Sequence, residues 1–493
     1  MKPAPLRGRA MLAAAITLML AACAHAPARL GQPALRDDAP LAGLQAPVRA
    51  GWPDAEWWRH YHDAQLDDLM DRAMQQSPDL ALAQSRVSNA EQSARLAAAQ
   101  LGLSVNGNAQ IARQRMSDHG LIPSQFLGFN WYNQADLGVQ LQYDFDWWGK
   151  KRATMEAALD QAHAAEAQRS AAALALQYAV ADTYFGWQAD QARLRLADQL
   201  LANQQQFARI AELRVKQGVD LPDEAQKARA QLAAVREMRI ALDGSAKIRR
   251  ASLASLLGLS PDQLPELKPH ALPAVNGGIP ANVRLDLIAR RPDVAASRWQ
   301  VEAALRKTDA ARAEFFPDFS VSAMAGLSSI DLGKLLTAGS RTFALTPALH
   351  LPIFEGGSLQ ANYGVSKAQL DAAVAQYDST VLTAAREVAT QALGAQQIAG
   401  RRHEQQAQLN ADRQLLASAR ARAKQGVTDA RESLAAQAQL LQQRDAATQL
   451  DAQAVSTDLS LIKALGGGYQ APGRADKNLV STVTAGAADH ERH

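Results

Sequence analysis

From Gly149 to Gly218 the chain runs without a proline through residues dominated by Ala, Gln, Leu, Arg and Glu, and closes on Arg214-Val215-Lys216-Gln217-Gly218-Val219. It does the same from Gly357 to Gly426, closing on Arg422-Ala423-Lys424-Gln425-Gly426-Val427. The offset is constant, since Gly149 and Gly357, Gly218 and Gly426, and Gly258 and Gly466 each stand 208 residues apart. An ungapped internal repeat of this kind dictates two structural halves rather than a string of unrelated domains. Seventy helix-favouring residues at about 1.5 Å each make a rod of roughly 105 Å. Such a rod cannot wrap around a compact core. Aromatic residues make up only 5% of the 493 positions, which suits long, close-packed helices better than a large globular interior.

The first residues read as a secretion signal. Lys2, Arg7 and Arg9 precede an apolar run from Ala10 to Ala22 that is too short to span a bilayer. It ends in Leu20-Ala21-Ala22-Cys23, which resembles a bacterial lipobox, where a signal peptidase cuts before a lipid-modified cysteine; an ordinary signal with a chance cysteine is the alternative. Ala24 is not Asp, which by the usual sorting rule sends the anchor to the outer membrane. Cys23 is the only cysteine, so disulfides and Cys-ligated metal sites are excluded. Without the three basic residues ahead of Cys23, 49 basic residues face 49 acidic ones. A neutral chain offers no positive field to hold phosphates, so no nucleic-acid partner is expected.

Residues 23–50, rich in Pro, Ala and Gly, read as a lipidated tether. Leu66 to Leu101 has helical composition, broken near its start by Ser77-Pro78-Asp79. Arg291-Pro292-Asp293 holds the matching place before a helical run to Phe316. Pro and Asp fit a helix start, where one amide has no partner and the helix end is positive. The long rods are expected over 149–218 and 357–426, followed by helices over 222–257 and 431–465. Two shorter helices end to end then match each rod. Leu200, Phe207, Ile210 and Leu213, with Leu409, Leu416, Leu434 and Leu441, form a sparse coiled-coil seam filled out with alanine. Residues 259–280 read as a connector, and 467–493 as a disordered tail.

Between the helices the period changes to two. Val105, Gly107, Ala109 and Ile111 alternate with polar or small residues, and so do Leu137, Val139, Leu141, Tyr143 and Phe145. In the second half Phe319, Val321, Ala323, Ala325 and Leu327 do the same. Phe343, Leu345, Leu349, Leu351 and Ile353 make a fourth apolar face, interrupted by Pro347. These segments, about 103–146 and 318–354, read as two strand pairs with loops at Ser117–Gln134 and Asp331–Arg341. Roughly nine to eleven residues of tilted strand cross a bilayer, and apolar-out, polar-in alternation is the transmembrane barrel pattern. Four strands cannot close, and an open edge in lipid leaves unpaired amides and carbonyls. Several chains must share a barrel; three give twelve strands. Trp147-Trp148, at the strand-to-helix junction, suits either a membrane-interface belt or packing of the bend. Two amphipathic hairpins on a soluble core are the alternative to the barrel.

With these pieces in place the chain resembles the outer-membrane factors of bacterial tripartite efflux systems, specifically NodT-type lipoprotein relatives of TolC. The resemblance is carried by the lipobox at Cys23, the Trp57-Trp58 to Leu69 block, Arg290-Arg291-Pro292-Asp293-Val294, Leu351-Pro352-Ile353-Phe354-Glu355-Gly356-Gly357 and the paired Lys-Gln-Gly-Val turns. It spans almost the whole chain from 23 onward. It implies a mixed, mainly α homotrimer, with a twelve-stranded barrel in the outer membrane of a Gram-negative bacterium continuous with a periplasmic helical barrel. Repeat 1 would occupy 51–258 and repeat 2 281–466. The implied role is an exit duct that conducts passively, with a membrane-fusion adaptor and an inner-membrane RND-type pump as partners and outer-membrane lipid holding the acylated Cys23. In that family the helical turns dock the adaptor; the matching positions are Gly218, Val219, Asp220 and Leu221, and Gly426, Val427, Thr428 and Asp429. Related ducts close on carboxylates six and nine residues beyond the second glycine, here Glu432 and Ala435, so one acid is missing. Arg431 and Glu224 are further gate candidates.

No nucleophile elbow, phosphate-cradling glycine loop or zinc-protease helix is present, and no cofactor, metal or catalytic residue is expected. His60 and His62 flank Tyr61 without evident partners. A coiled-coil scaffold lipoprotein of the periplasm, without a pore, is the other function these patterns allow.

Overall fold

The structure, a computed structural model, describes residues 26–41, 43–44, 48–49, 51–117, 128–275 and 277–470. In chain order come α1 (Ala64–Gln76), α2 (Pro78–Ala99), strands β1 (Ser104–Arg115) and β2 (Trp131–Phe145), α3 (Lys150–Lys216) and α4 (Pro222–Leu256). Then follow α5 (Val283–Arg290), α6 (Pro292–Ala313), β3 (Asp318–Ser329), β4 (Arg341–His350), α7 (Ser358–Lys424) and α8 (Ala430–Ala464). Helices α3 and α7 each have 67 residues, about 100 Å of rod. The fold is mainly helical with a small sheet.

The helices stand side by side in four columns. One column is α2 with α4, the next is α3 alone, then α6 with α8, then α7 alone. Alanines make the close packing possible: Ala153, Ala157, Ala164 and Ala167 are buried along one stretch of α3. Leucines punctuate the lower seam, with Leu200, Leu409, Leu416, Leu434 and Leu441 buried. Leu213, placed in the same seam from its spacing, is exposed, because it lies one turn from the end of α3 where packing partners run out.

At mid-length the columns widen into the main apolar core. Trp57, Trp58, Leu66 and Leu69 pack there on Tyr184, Leu253 and Leu459. Asp63 caps α1 by accepting from the amides of Gln65 and Leu66, and also accepts from the Tyr184 hydroxyl at 2.6 Å. Pro78 opens α2 as a fresh helix. In the second half Arg291 is buried and ties three elements together. Its guanidinium donates in a fork to Asp293 (2.9 and 2.7 Å), to Glu387 on α7 (2.8 Å) and to the Ala464 carbonyl at the end of α8 (2.8 Å). A buried guanidinium persists only when so satisfied.

The stretch read as a tether is instead laid along the protein between residues 27 and 41. The Pro27 carbonyl accepts from Arg312, the Arg36 carbonyl accepts from Tyr377, and Ala39 and Leu41 are buried against α5, α6 and α7. Val48–Arg49 pairs in parallel with Ile279–Pro280, inside the stretch read as a connector. Composition shows the absence of helix here but not the apolar residues that dock. The tail also begins later than 467. Gly466 and Gly467 are buried, Tyr469 packs on Ala167, Ala295 and Ala296, and residues 471–493 lie outside the described ones. Cys23 and the signal segment lie outside them too.

Candidate functional site

Two regions carry the features that a duct would need: the sheet at one end of the columns and the helix turns at the other. The sheet has the order β1-β2-β3-β4, antiparallel throughout. Cross-strand partners point to the same side, so the register fixes the faces. Val105, Leu141, Ala323 and Leu345 form one row across all four strands, and Gly107, Val139, Ala325 and Phe343 form a neighbouring row on the same face. The opposite face carries Asn106, Gln140, Met324 and Ala344 in one row and Ser104, Gln142, Ser322 and Thr346 in another. Toward its centre and outer edge the apolar face is open: Phe343 is 89% exposed and Leu345 72%, whereas Ala135, on the same face near the loop end, is buried. Gly326 faces Gly138 so closely that a Cβ would sit 2.5 Å from the Leu137 carbonyl oxygen, so no side chain fits there.

Strand limits differ from the sequence reading at two points. Strand β2 starts at Trp131, within the stretch assigned to a loop, where Trp131 lies under the Arg113 guanidinium, 5.6 Å from its ring. Strand β4 ends at His350, leaving Leu351 and Ile353 outside it; Pro352 has no amide hydrogen to extend the ladder. At the lower rim the two tryptophans are placed differently. Trp148 stacks on Phe316 at 4.5 Å and donates to the Pro317 carbonyl at 2.9 Å, packing the bend. Trp147 is exposed and stacks on Phe319 at the edge of the apolar face.

At the far end, α3 and α7 close with the same hydrogen-bond pattern. The Val219 amide donates to the Arg214 carbonyl and the Gly218 amide to the Val215 carbonyl; Val427 and Gly426 do the same to Arg422 and Ala423. Both glycines adopt the left-handed conformation this motif requires, with φ of 69° and 71°. Val219, Leu221 and Val427 are left exposed at the turns, while Thr428 is half-buried.

A ring of ion pairs joins the two turns. Arg214 donates in a fork to Asp220 at 2.9 and 3.0 Å. Arg431, from the other half, donates to the same carboxylate at 2.7 Å and to Asp429 at 2.8 Å. Asp429 also caps α8 by accepting from the Arg431 amide. Glu432 accepts from Arg422, whereas Glu224 pairs with Lys227 at 2.8 Å on its own helix. Ala435 is exposed and offers no charge. The structure thus brings Asp220, Asp429 and Arg431 together, and leaves Glu224 and Glu432 in separate pairs. Arg214 and Arg422, absent from the candidates read in the sequence, complete these contacts.

The Arg214 fork holds the Asp220 carboxyl below its ordinary 3.8. Arg422 holds Glu432 below its ordinary 4.5. For Asp429, burial pushes upward, but the amide and guanidinium of Arg431 outweigh it and the net direction is down. Depressed carboxyls support the folded arrangement above their ordinary values and lose that support as pH falls through the lowered ones. The ring is therefore intact at neutral pH and loosens only in acid.

Comparisons with known proteins agree with this layout. A family model described as outer membrane efflux protein matches residues 69–259 and 284–467. The multidrug resistance outer membrane protein MdtP of Escherichia coli is 35% identical over 444 residues, covering 89% of this chain and 90% of the relative. The solved outer membrane protein VceC of Vibrio cholerae is 31% identical with a TM-score of 0.76, covering 85% of this chain and all of that one. The MtrE outer membrane channel of Neisseria gonorrhoeae, solved in an open state, is 25% identical with a TM-score of 0.73, over 92% of this chain and 98% of that one.

Proposed function

The chain belongs to the outer membrane efflux protein family and is a protein of the outer membrane, and on that premise we propose that three copies close one twelve-stranded barrel to form the exit duct of a tripartite drug-efflux assembly. The observation that carries this is the sheet: four strands with one face of apolar rows that leaves Leu137, Val139, Phe343 and Leu345 exposed, a more polar opposite face and two open edges. In lipid, open edges cost several kcal/mol per unpaired group, and closure by further copies removes them. The apolar rows then face hydrocarbon, the polar rows line water, and the four helix columns continue the wall through the periplasm.

Conduction is passive, with energy supplied by an inner-membrane pump. The turns at Gly218–Leu221 and Gly426–Asp429, with Val219, Leu221 and Val427 exposed, supply the surface for an adaptor protein. The ring of Arg214, Asp220, Arg431 and Asp429 holds the tip closed until the adaptor displaces it. Lipidation of Cys23 fits the course of residues 27–41, which lie as a strap along the helices. Its first contacts, Pro27 with Arg312 and Ala28 with Tyr363, lie at the sheet end of α6 and α7. Four extended residues reach at most about 14 Å further, which suits an acyl anchor in the inner leaflet of the outer membrane.

The test is mass in detergent together with drug tolerance. The full-length protein should run as three chains, and a deletion strain should regain tolerance with the wild-type gene but not with Phe343→Arg, which sets a charge on the lipid face. A stable monomer, or a Phe343→Arg protein that restores tolerance fully, would favour the scaffold alternative.

A further inference from the structure

The loop joining β3 to β4 does not stand away from the sheet as a simple turn. Its ten residues, Asp331 to Ser340, form two successive tight turns fastened by their own side chains. The Lys334 carbonyl accepts from the hydroxyls of Thr337 and Ser340, each at 2.7 Å, and from the Thr337 amide at 3.0 Å. Asp331 accepts from the Gly333 amide at 3.0 Å, and Ser329 donates to the Asp331 carbonyl at 2.8 Å. Such a loop has a defined shape rather than an ensemble of them.

Its direction follows from what it touches. Although joined to β3 and β4, its first turn reaches across to β2. Between loop and sheet lies a cleft of about 710 Å³ lined from the sheet by Tyr132, Gln134 and Ser328, with Ser329 at the strand end where the loop begins, and from the loop by Lys334, Thr337 and Ser340. Tyr132, Gln134 and Ser328 are in register with the polar rows, not the apolar ones. The loop therefore folds over the polar face. Leu336, 79% exposed, is not among the residues that line the cleft.

We propose that Asp331–Ser340 is a preformed inward fold that narrows the outer mouth of the duct and sets the size of solute that passes it. This rests on the duct reading, in which the polar face lines the lumen. Around a threefold axis three such loops converge, each held by the Lys334 carbonyl and carrying Leu336 toward the opening. The fold leaves small solutes a path between the loops and excludes bulky ones from outside, whatever the state of the helix tips.

The experiment is thiol labelling from outside intact cells expressing the full chain with Gln140→Cys, which sits exposed on the polar face below the loop, against a parent background. A small maleimide should label it, and a polymer-linked maleimide should label it several-fold more slowly. Shortening the loop by removing Gly333–Gly339 should restore labelling by the large reagent. Thr337→Ala with Ser340→Ala, which removes only the two hydroxyl bonds, should restore it in part and carries the test if the shortened chain fails to reach the membrane. Equal rates for the large reagent with native and altered loops would overturn the proposal. If the small reagent labels Phe343→Cys but never Gln140→Cys, the polar face is not the lumen, and the duct reading itself falls.

Discussion

The two helix turns begin as copies and end as complements. Both close a 67-residue helix with the same glycine motif, and Arg214 corresponds to Arg422 and Glu224 to Glu432 at the 208-residue offset. The positions between and beyond differ in chemistry. Asp220 corresponds to Thr428, Leu221 to Asp429, Asp223 to Arg431 and Lys227 to Ala435. Each difference is used. Asp429 caps its helix, which Leu221 cannot do. Glu224 has Lys227 one turn on, whereas Glu432 faces Ala435 and turns to Arg422 instead. Arg431 stands where the first copy has an acid, and reaches Asp220, where the second copy has none. A strict repeat would set like charges against each other across the tip. Divergence at these positions turns the contact into a bond, which is why we place the closure here.

The largest effect should come from undoing that divergence. Arg431→Asp restores the first copy's residue and sets a third carboxylate beside Asp220 and Asp429. Single-channel conductance in planar bilayers should rise several-fold, while the mirror change Asp223→Arg, at an exposed position, should leave it within error. Equal effects from both would mean that overall charge, not the cross-tip pair, governs closure.

A smaller difference separates the helix starts. Asp429→Ala removes a side-chain cap and should destabilise the first turn of α8 by about 1 kcal/mol. Leu221→Ala removes no bond and should leave the start of α4 unchanged. Amide exchange at Arg431 and Glu432, against Glu224 and Ala225, measures both; matched exchange rates would erase the distinction.

An effect of similar size, visible only as a difference between two pH values, lies far up the rod, where Asp160 in the first copy corresponds to Ala368 in the second. Burial, with Glu302 and Glu156 adding to it and Arg306 opposing, pushes the Asp160 carboxyl up to about 7. A raised carboxyl favours the folded state below its ordinary value and costs stability as pH rises toward 7. Asp160→Asn should therefore stabilise the protein at pH 8 by about 1 kcal/mol, allowing for solvent screening of a partly exposed group, and by less at pH 5. Melting temperatures of both proteins at the two pH values decide it; a gain independent of pH would point to packing instead.

Mainly helical architecture with a small sheet is legible in the sequence because it is written in local periodicity. The runs of Ala, Gln and Leu without proline, and the alternation through Leu137–Phe145, need no knowledge of the rest of the chain. What escaped depends on distant partners. The strap at residues 27–41 looks like any Pro-Ala-Gly linker until Ala39 and Leu41 meet α5, α6 and α7. Strand β2 starts at Trp131 because it pairs with Arg115, a cross-strand fact rather than a propensity. The ring at the tips joins residues 211 apart, and local reading gave Arg214 and Arg422 no role. Comparing the copies position by position would have flagged the charge differences at Asp223/Arg431 and Asp220/Thr428, since an otherwise faithful repeat that reverses a charge has a reason to do so.

The measurement that bears most directly on the duct is single-channel recording on the full-length protein in a planar bilayer, without pump, adaptor or energy source. The account predicts discrete ion-conducting steps from the wild-type protein, small because the tips are closed, and larger steps of the same kind from Arg431→Asp. A folded, membrane-inserted protein that conducts in neither form would contradict it.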